Sequence, residues 1–415
     1  MTDFGRRDFL RITGAGAAAG FLPGGQLFAQ DTKAGQAAKP VLVAIYLRGG
    51  QDALNVLVPF GDKHYKDLRP TIGILAKDTE DAKGVIALDD TFGLHPSMKA
   101  LKPLYDDKRF APVVCTGSPH NTRSHFDAQD FMEYAAPGMR TLKAGWLNRY
   151  LAATKPAKTE GVVLRALAMQ GLLPRALRGE CPALAVPERN VLDNSKVLET
   201  FEDIYGKDGD KMDKREDDPV VATGRDTLET LKRYKEIEAK GKTRKTNYAN
   251  GRLGSKLKDI ASVIHADAGL EVACIDIGGW DHHANEGDDQ GTIANMLKEG
   301  SDSLAAFADD LGKRLDQVLV VVMTEFGRTC KENGNSGTDH GHGSVMLLLG
   351  GAVKGGKVHG EWRGLEDKAL YEGRDLPVTT DFRNVFADAL RNHMKFDPPK
   401  DFFPDYKAAA VKGLF

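Results

Sequence analysis

The sequence predicts an α/β fold of the doubly wound kind, with a mostly parallel central sheet and helices on both faces. Three observations lead there. Short uninterrupted β-branched runs, bounded by Gly or Pro, recur along the chain and suit strands buried on both faces. Stretches of helical period fall between them, giving strand–helix–strand alternation. The chain has 415 residues, 41% hydrophobic and 28% charged, enough to bury one large core.

Taken in order, the first 29 residues stand apart. Arg6 and Arg7 precede Phe9 and Leu10, then a weakly apolar run from Ile12 to Leu22, then Ala29 before a cleavage point. That order reads as a twin-arginine export signal, too short and too mild to span a bilayer. The expected partner is the twin-arginine export machinery, and the expected location is periplasmic or secreted. Residues 30–39 read as a flexible linker and 40–415 as a single α/β domain. Its expected strands are Val41–Leu47, Ala111–Thr116, Val162–Met169, Val272–Ile277, Val318–Met323 and Val345–Leu349. The expected helices are Met98–Asp107, Arg225–Lys240, Leu253–Ala266, Ser303–Asp316 and Asp381–Met394, the last with Asp381 as N-cap. Residues 202–250 are rich in Lys, Asp and Glu and read as an exposed helical insertion or cap.

Composition narrows the function classes. A formal net charge of −2 gives no basic bias, so nucleic acid is not an expected partner. After the leader no segment approaches 18 consecutive apolar residues, so no stable membrane span is expected. Cys115, Cys181, Cys274 and Cys330 form no CxxC pair, which argues against a thiolate zinc site.

In open α/β sheets, ligands bind beyond the carboxyl ends of the strands. After Val41–Leu47 comes RGGQDALN, with Asp52. After Ala111–Thr116 comes GSPHNTRSHFDAQDFME, with Thr122, Ser124 and His125. After Val272–Ile277 comes GGWDHHANE, with Asp281 and His283. After Val318–Met323 comes TEFGRT, with Glu325 and Arg328. Ahead of Val345–Leu349 lies GTDHGHGS, with Asp339, His340 and His342. Six of the chain's 11 histidines fall in these loops. Singly, each group has a plainer reading: Asp52 as a turn carboxylate, Glu325 at a helix start, any one histidine as a cap or surface group. Together, an Asp/Glu/His set without cysteine suits a divalent ion such as zinc, manganese, magnesium or calcium. Two ions can share such a set, roughly 3.5–4 Å apart.

The ordered motifs RRDFLR, YLRGGQDALNVLVP, RSHFDAQDFME, GGWDHHANE, VVVMTEFGRT, GTDHGHGSVMLLLGG and VTTDFRNVFADALRNH cover nearly the whole chain. On them the chain resembles the exported bacterial family of the domain of unknown function fifteen-oh-one, placed in the alkaline phosphatase and sulfatase superfamily. The resemblance implies an alkaline phosphatase-like fold and metal-dependent chemistry on phosphate or sulfate esters. It matches Asp52 to the aspartate of the first strand end, and Ser124 to the nucleophile, with Thr122 second. It matches Asp281 and His283 to a later Asp–His ligand pair. Where the superfamily pattern expects Asp-His, this chain reads Glu325-Phe326; that departure implies a second ion with Asp339 or His125 filling in, a single ion, or an inactive site. The final histidine would be His340 or His342. In an active site, Arg123 or Arg328 would hold the anionic oxygens of the ester; the plainer reading of each is an ordinary salt bridge. Cys115 lacks the Cys-x-Pro-x-Arg signature of formylglycine sulfatases.

The implied function is an exported hydrolase of small-molecule or glycan phosphate or sulfate esters, using one or two divalent ions. Two other readings share these residues. One is a non-catalytic, metal-containing protein that binds polysaccharide or another envelope component. The other is a phosphoryl transferase or mutase.

Overall fold

A computed structural model describes residues 39–156, 164–186, 199–200, 202–203, 219–242 and 244–415. The expected export signal, the linker up to residue 38, the first two residues of the third expected strand and residues 204–218 of the charged segment lie outside the described residues.

The strands are β1 (Val41–Arg48), β2 (Leu57–Val58), β3 (Ile86–Ala87), β4 (Gly93–Leu94), β5 (Phe110–Gly117), β6 (Ala166–Ala168), β7 (Leu184–Ala185), β8 (Val272–Gly278), β9 (Val318–Met323), β10 (Ser344–Gly350) and β11 (Thr380–Asp381). Eight form one sheet in the order β11-β5-β10-β9-β1-β8-β6-β7, flanked by helices, and β2-β4-β3 form a small second sheet. Every residue of β5, β9 and β10 is buried, as a sheet covered on both faces requires. β11 runs parallel to β5, and β6 runs parallel to both β7 and β8.

The sixth expected strand differs from the others in direction. β10 runs antiparallel to both β5 and β9. A parallel return needs a crossover of a dozen or more residues, usually helical. The segment from Thr324 to Gly343 contains no helix and turns back along the same edge. Leu347 therefore pairs with Val322 and Ser344 with Thr116. The start of β10 thus lies beside the ends of β9 and β5, which brings GTDHGHGS to the edge where the other motif loops emerge.

Most helices fall where expected, with shifted ends. Asp381 caps the helix Phe382–Asp388, its Oδ1 accepting from the Arg383 amide at 2.9 Å. The fourth expected helix begins earlier, spanning Thr292–Leu311 and running through Gly300 rather than starting after it. Met98–Asp107 divides into a 3-10 turn, Pro96–Leu101, and a short helix, Lys102–Asp106. Pro103 explains the break, because its missing N–H suits the first turn of a new helix but not the interior of a continuous one. Within the charged segment a helix spans Pro219–Gly241. Among the described residues no helix is long and apolar enough to cross a membrane, and the four cysteines are buried and form no disulfide.

The chain divides into two compact units. One comprises Thr141–Lys245 and Asp259–Ile275 with the segment up to Val41; the other comprises Leu42–Arg140, Thr246–Lys258 and Asp276–Phe415. In the first unit Glu271 gathers an ion-pair cluster. Its carboxylate accepts from Arg165 through Nε (2.9 Å) and Nη2 (2.8 Å), and from Lys39 Nζ at 3.1 Å. Burial would raise this carboxyl, but the Arg165 hydrogen bonds and the two positive charges outweigh it and hold the group below the usual range. A depressed folded-state pKa contributes stability above the unfolded value, about 4.3, that is lost as pH falls through the folded value. Glu271→Gln is expected to cost about 1.5–3 kcal/mol at pH 7 and to flatten the acid limb of stability against pH. Urea unfolding at pH 7 and at stepwise lower pH reads both effects; an unchanged acid limb would contradict the assignment.

Candidate metal centre

All the motif residues at the sheet edge belong to the second unit. The turn after β1 holds Gly49 at φ 125°, and a side chain there would collide with the Asp281 amide nitrogen at 2.5 Å. Only glycine lets the first motif loop press against the third this closely. Gly337 does the same for the last motif, since a Cβ there would meet the His283 carbonyl carbon at 2.5 Å. Between them, Arg328 and His340 pair as an antiparallel bridge, which ties the loop after β9 to the loop before β10.

This packing gathers three imidazoles and one carboxylate. His125 Nε2 lies 2.9 Å from His340 Nε2, and His283 Nε2 lies 3.0 Å from the same atom. Asp281 Oδ1 is 3.0 Å from His283 Nε2 and 3.2 Å from His340 Nε2; its Oδ2 is 3.4 Å from His125 Nε2. His125, Asp281 and His340 present ligand atoms close enough together to share one ion, and His283 adjoins two of them.

The far nitrogens decide what the near ones can do. His125 Nδ1 meets Glu325 Oε1 at 2.8 Å, His283 Nδ1 meets Asp339 Oδ1 at 3.1 Å, and His340 Nδ1 meets the Arg123 carbonyl at 2.9 Å. Each partner is an acceptor, so each neutral ring carries its proton on Nδ1 and turns the Nε2 lone pair inward. Three inward lone pairs beside a carboxylate repel one another unless a cation or proton lies among them. Carboxylate and carbonyl partners on the outer nitrogens are also how metal-binding histidines are oriented.

The charges are set to match. Glu325 is buried and accepts from the Gly49 amide and from Gln129 Nε2, both at 2.9 Å, as well as meeting His125. Its hydrogen bond raises the His125 pKa above the usual histidine range. Burial, then the neighbouring His125, push the His340 pKa down. Burial would raise Asp281, but Arg328 outweighs it through a 2.7 Å hydrogen bond and its charge, and the carboxyl stays below the usual range. Phe326, standing where the superfamily pattern expects an imidazole, is buried with its ring centroid 4.8 Å from that of His125 and 5.1 Å from that of His340. It gives those two rings an apolar wall.

The remaining expected residues have other partners. Asp52 is buried in a two-point ion pair with Arg69, whose Nη2 donates to Oδ1 at 2.9 Å and whose Nη1 donates to Oδ2. It is not in the group of described residues whose ligand atoms lie close enough to share an ion. His342 stacks on Tyr371, centroids 4.3 Å apart, and also stays outside the cluster. The Arg328 side chain is fully buried and spends its donors on Asp281, the Gly49 carbonyl, and the hydroxyl and carbonyl of Thr338. Arg123 is paired with Asp375 at 2.7 Å and Glu372 at 2.6 Å. Arg328 thus holds Asp281, whereas Arg123 meets its two carboxylates through Nη2. Ser124 precedes His125 at the start of the helix His125–Tyr134, and its hydroxyl does not cap that helix. Thr122 Oγ1 accepts from the Ser124 amide at 3.2 Å, so Thr122 orients the serine.

Sequence reasoning did not find Arg69, Gln129, Glu286 or Asn333. Gln129 stands four residues after His125, on the same helix face, and that spacing was a usable signal. Glu286 Oε2 accepts from Thr338 Oγ1 at 3.0 Å, and Asn333 Nδ2 reaches Asp339 at 3.3 Å and the His283 carbonyl at 2.9 Å. The Glu286–Thr338 and Asn333–His283 contacts link residues far apart in the chain and leave no local pattern.

An α/β protein with a histidine–carboxylate cluster at its sheet edge is the class that fold and site define together. Within that class the chain belongs to the family described as protein of unknown function (DUF1501), whose profile matches residues 39–401. Among solved structures it is similar to the C-terminal periplasmic domain of EcEptC from Escherichia coli in complex with Zn. Identity is 10%, coverage is 79% of this chain and 77% of that one, and the TM-score is 0.36. It is also similar to the PsFucS1 sulfatase from Pseudoalteromonas sp., at 10% identity over 86% of this chain and 68% of that one, with a TM-score of 0.35. A comparison with curated proteins returns no match.

Proposed function

We infer that the protein is an exported, metal-dependent hydrolase of phosphate or sulfate esters, with one divalent ion held by His125, Asp281, His283 and His340. The observation that carries the metal reading is the convergence of three inward Nε2 atoms on the Asp281 carboxylate. Three nitrogens and one oxygen suit zinc, or next manganese, better than magnesium or calcium, which favour all-oxygen sets. Asp52, engaged by Arg69, is not counted as a ligand. Periplasmic or secreted placement rests on the leader sequence, and the ester class on the family resemblance of the motifs.

When bound, such an ion supplies Lewis acidity at a non-bridging ester oxygen. The chain's own groups do the rest. Ser124, beside the ligand His125, offers a hydroxyl as nucleophile at the start of a ten-residue helix whose N-terminal dipole favours an anion. Thr122 fixes the serine backbone, and Glu325 and Asp339 fix two imidazoles.

The test is turnover of 4-nitrophenyl phosphate and 4-nitrophenyl sulfate by protein loaded with zinc or manganese. Ser124→Ala is expected to lower turnover by roughly 10³-fold or more while leaving metal content unchanged. Activity near that of the parent would mean that Ser124 is not the nucleophile. Absence of turnover of either ester by metal-loaded parent protein would favour the second reading, a metal-containing protein that binds without catalysis. The specific observation on that side is the engagement of both Arg123 and Arg328 in ion pairs.

A further inference from the structure

The turn 371–374 packs on the loop that carries His340. The Tyr371 carbonyl accepts from the Arg374 amide at 3.1 Å, and both central residues take positive φ, Glu372 at 55° and Gly373 at 65°. Glycine adopts that conformation freely and glutamate seldom does. A residue held there against its preference points to a task for its side chain. Glu372 Oε2 accepts from Arg123 Nη2 at 2.6 Å. The same Nη2 donates to Asp375 Oδ2 at 2.7 Å, and Arg374 Nε donates to Asp375 Oδ1 at 2.9 Å. Two guanidinium groups thus meet on the two oxygens of one carboxylate, which places them side by side. Both arginines are also tied to His340. Arg374 Nη2 donates to its carbonyl, and the Arg123 carbonyl meets its Nδ1 at 2.9 Å.

Only part of this donor set is used. Among the described residues neither Arg123 Nη1 nor Arg374 Nη1 has a hydrogen-bond partner, and the two side chains are 30% and 44% exposed. The two carboxylates play unequal parts. The Asp375 side chain is out of water, and pulling it from both arginines would strand a buried charge. The Glu372 side chain is 52% exposed, and exposed ion pairs are weak and screened by salt. Glu372 is therefore the carboxylate that an incoming anion can replace. Planar guanidinium groups offer paired N–H donors that match the oxygens of a carboxylate, phosphate or sulfate.

We propose that Arg123 and Arg374 form a binding site for an oxyanion (sulfate, phosphate or carboxylate), which the Glu372 carboxylate fills until the ligand displaces it. Arg374 meets His340 through its carbonyl and not through Nε2, and the proposal does not rest on the metal reading.

The probe is inorganic sulfate, titrated calorimetrically into the full protein at constant ionic strength. It is expected to bind with a Kd on the order of 1 mM, the affinity of a few charge-assisted hydrogen bonds at a wet site. Glu372→Gln keeps the shape and removes the competing charge, and is expected to tighten sulfate roughly 2–5-fold. Glu366→Gln removes an equal charge from the same segment and is expected to leave the affinity within roughly 1.5-fold of the parent. Arg374→Gln is expected to weaken sulfate roughly 10-fold while circular dichroism shows a folded chain. Should Arg374→Gln fail to fold, the contrast between Glu372→Gln and Glu366→Gln carries the test. Acetate in place of sulfate separates the sources. Tighter sulfate assigns the site to a phosphate or sulfate group and tighter acetate to a carboxylate, and either order supports an oxyanion site. No saturable binding of sulfate or acetate up to roughly 20 mM, equal gains from Glu372→Gln and Glu366→Gln, or undiminished binding by folded Arg374→Gln would each overturn the proposal.

Discussion

Arg69→Met is expected to destabilise the protein by about 3–5 kcal/mol, the usual cost of removing one partner of a buried ion pair. The Arg69 side chain is completely buried, and its donors all reach protein atoms: Asp52, Asn55 Oδ1 at 3.2 Å, the Cys330 carbonyl at 2.7 Å and the Thr329 carbonyl at 3.0 Å. Burial would raise the Asp52 carboxyl, but Arg69 outweighs it and keeps the group ionised. Burial, then the nearby Asp52 charge, push Glu286 well above the usual carboxyl range. Without Arg69 a carboxylate is stranded next to a second carboxyl in the protein interior. The double variant Arg69→Met/Asp52→Asn removes both charges together and should cost clearly less than the sum of the single variants. Urea unfolding of the three variants measures this coupling; a single-variant loss under about 1 kcal/mol would place the pair outside the buried class. Metal content gives a second reading of the same residues. Asp52→Asn should leave it unchanged, whereas a ligand role for Asp52 would require its loss.

His340→Ala is expected to abolish metal retention with the fold intact. His340 Nε2 is the atom that both other imidazoles and Asp281 approach, at 2.9, 3.0 and 3.2 Å. Removing it should weaken binding beyond the roughly 10–100-fold that an outer-shell partner carries. His342→Ala, two residues on, should keep the metal, because that ring stacks on Tyr371 instead. The pair of variants separates ligation from a general disturbance of the loop. Equal loss in both would mean that the loop's integrity, rather than the His340 ring, is what matters.

The comparison of sequence with structure shows where local pattern stops. β1, β5, β8, β9 and β10 were legible because each is a short apolar run with turn residues at its ends. The direction of β10 was not, since an apolar run carries no sign of which way its chain points. That direction matters, because it brings His340 to the edge where His125 emerges. The loops carrying the cluster were legible from their acid and histidine content. The division of labour within them was not, because it is set by pairs far apart in the chain, such as His125 with Glu325 and His340 with the Arg123 carbonyl. Asp52 shows the limit most clearly. A carboxylate after a glycine pair at a strand end reads as a ligand until Arg69, in a polar loop without periodic signal, is seen to hold both its oxygens.

The most direct test of the metal centre is elemental mass spectrometry on the parent protein, purified from its own export route without chelator, alongside His340→Ala. One equivalent of zinc or manganese per chain, lost in His340→Ala and kept in His342→Ala, is the result predicted here. A fully folded parent protein carrying no divalent ion, or an ion content indifferent to His340→Ala, would contradict it.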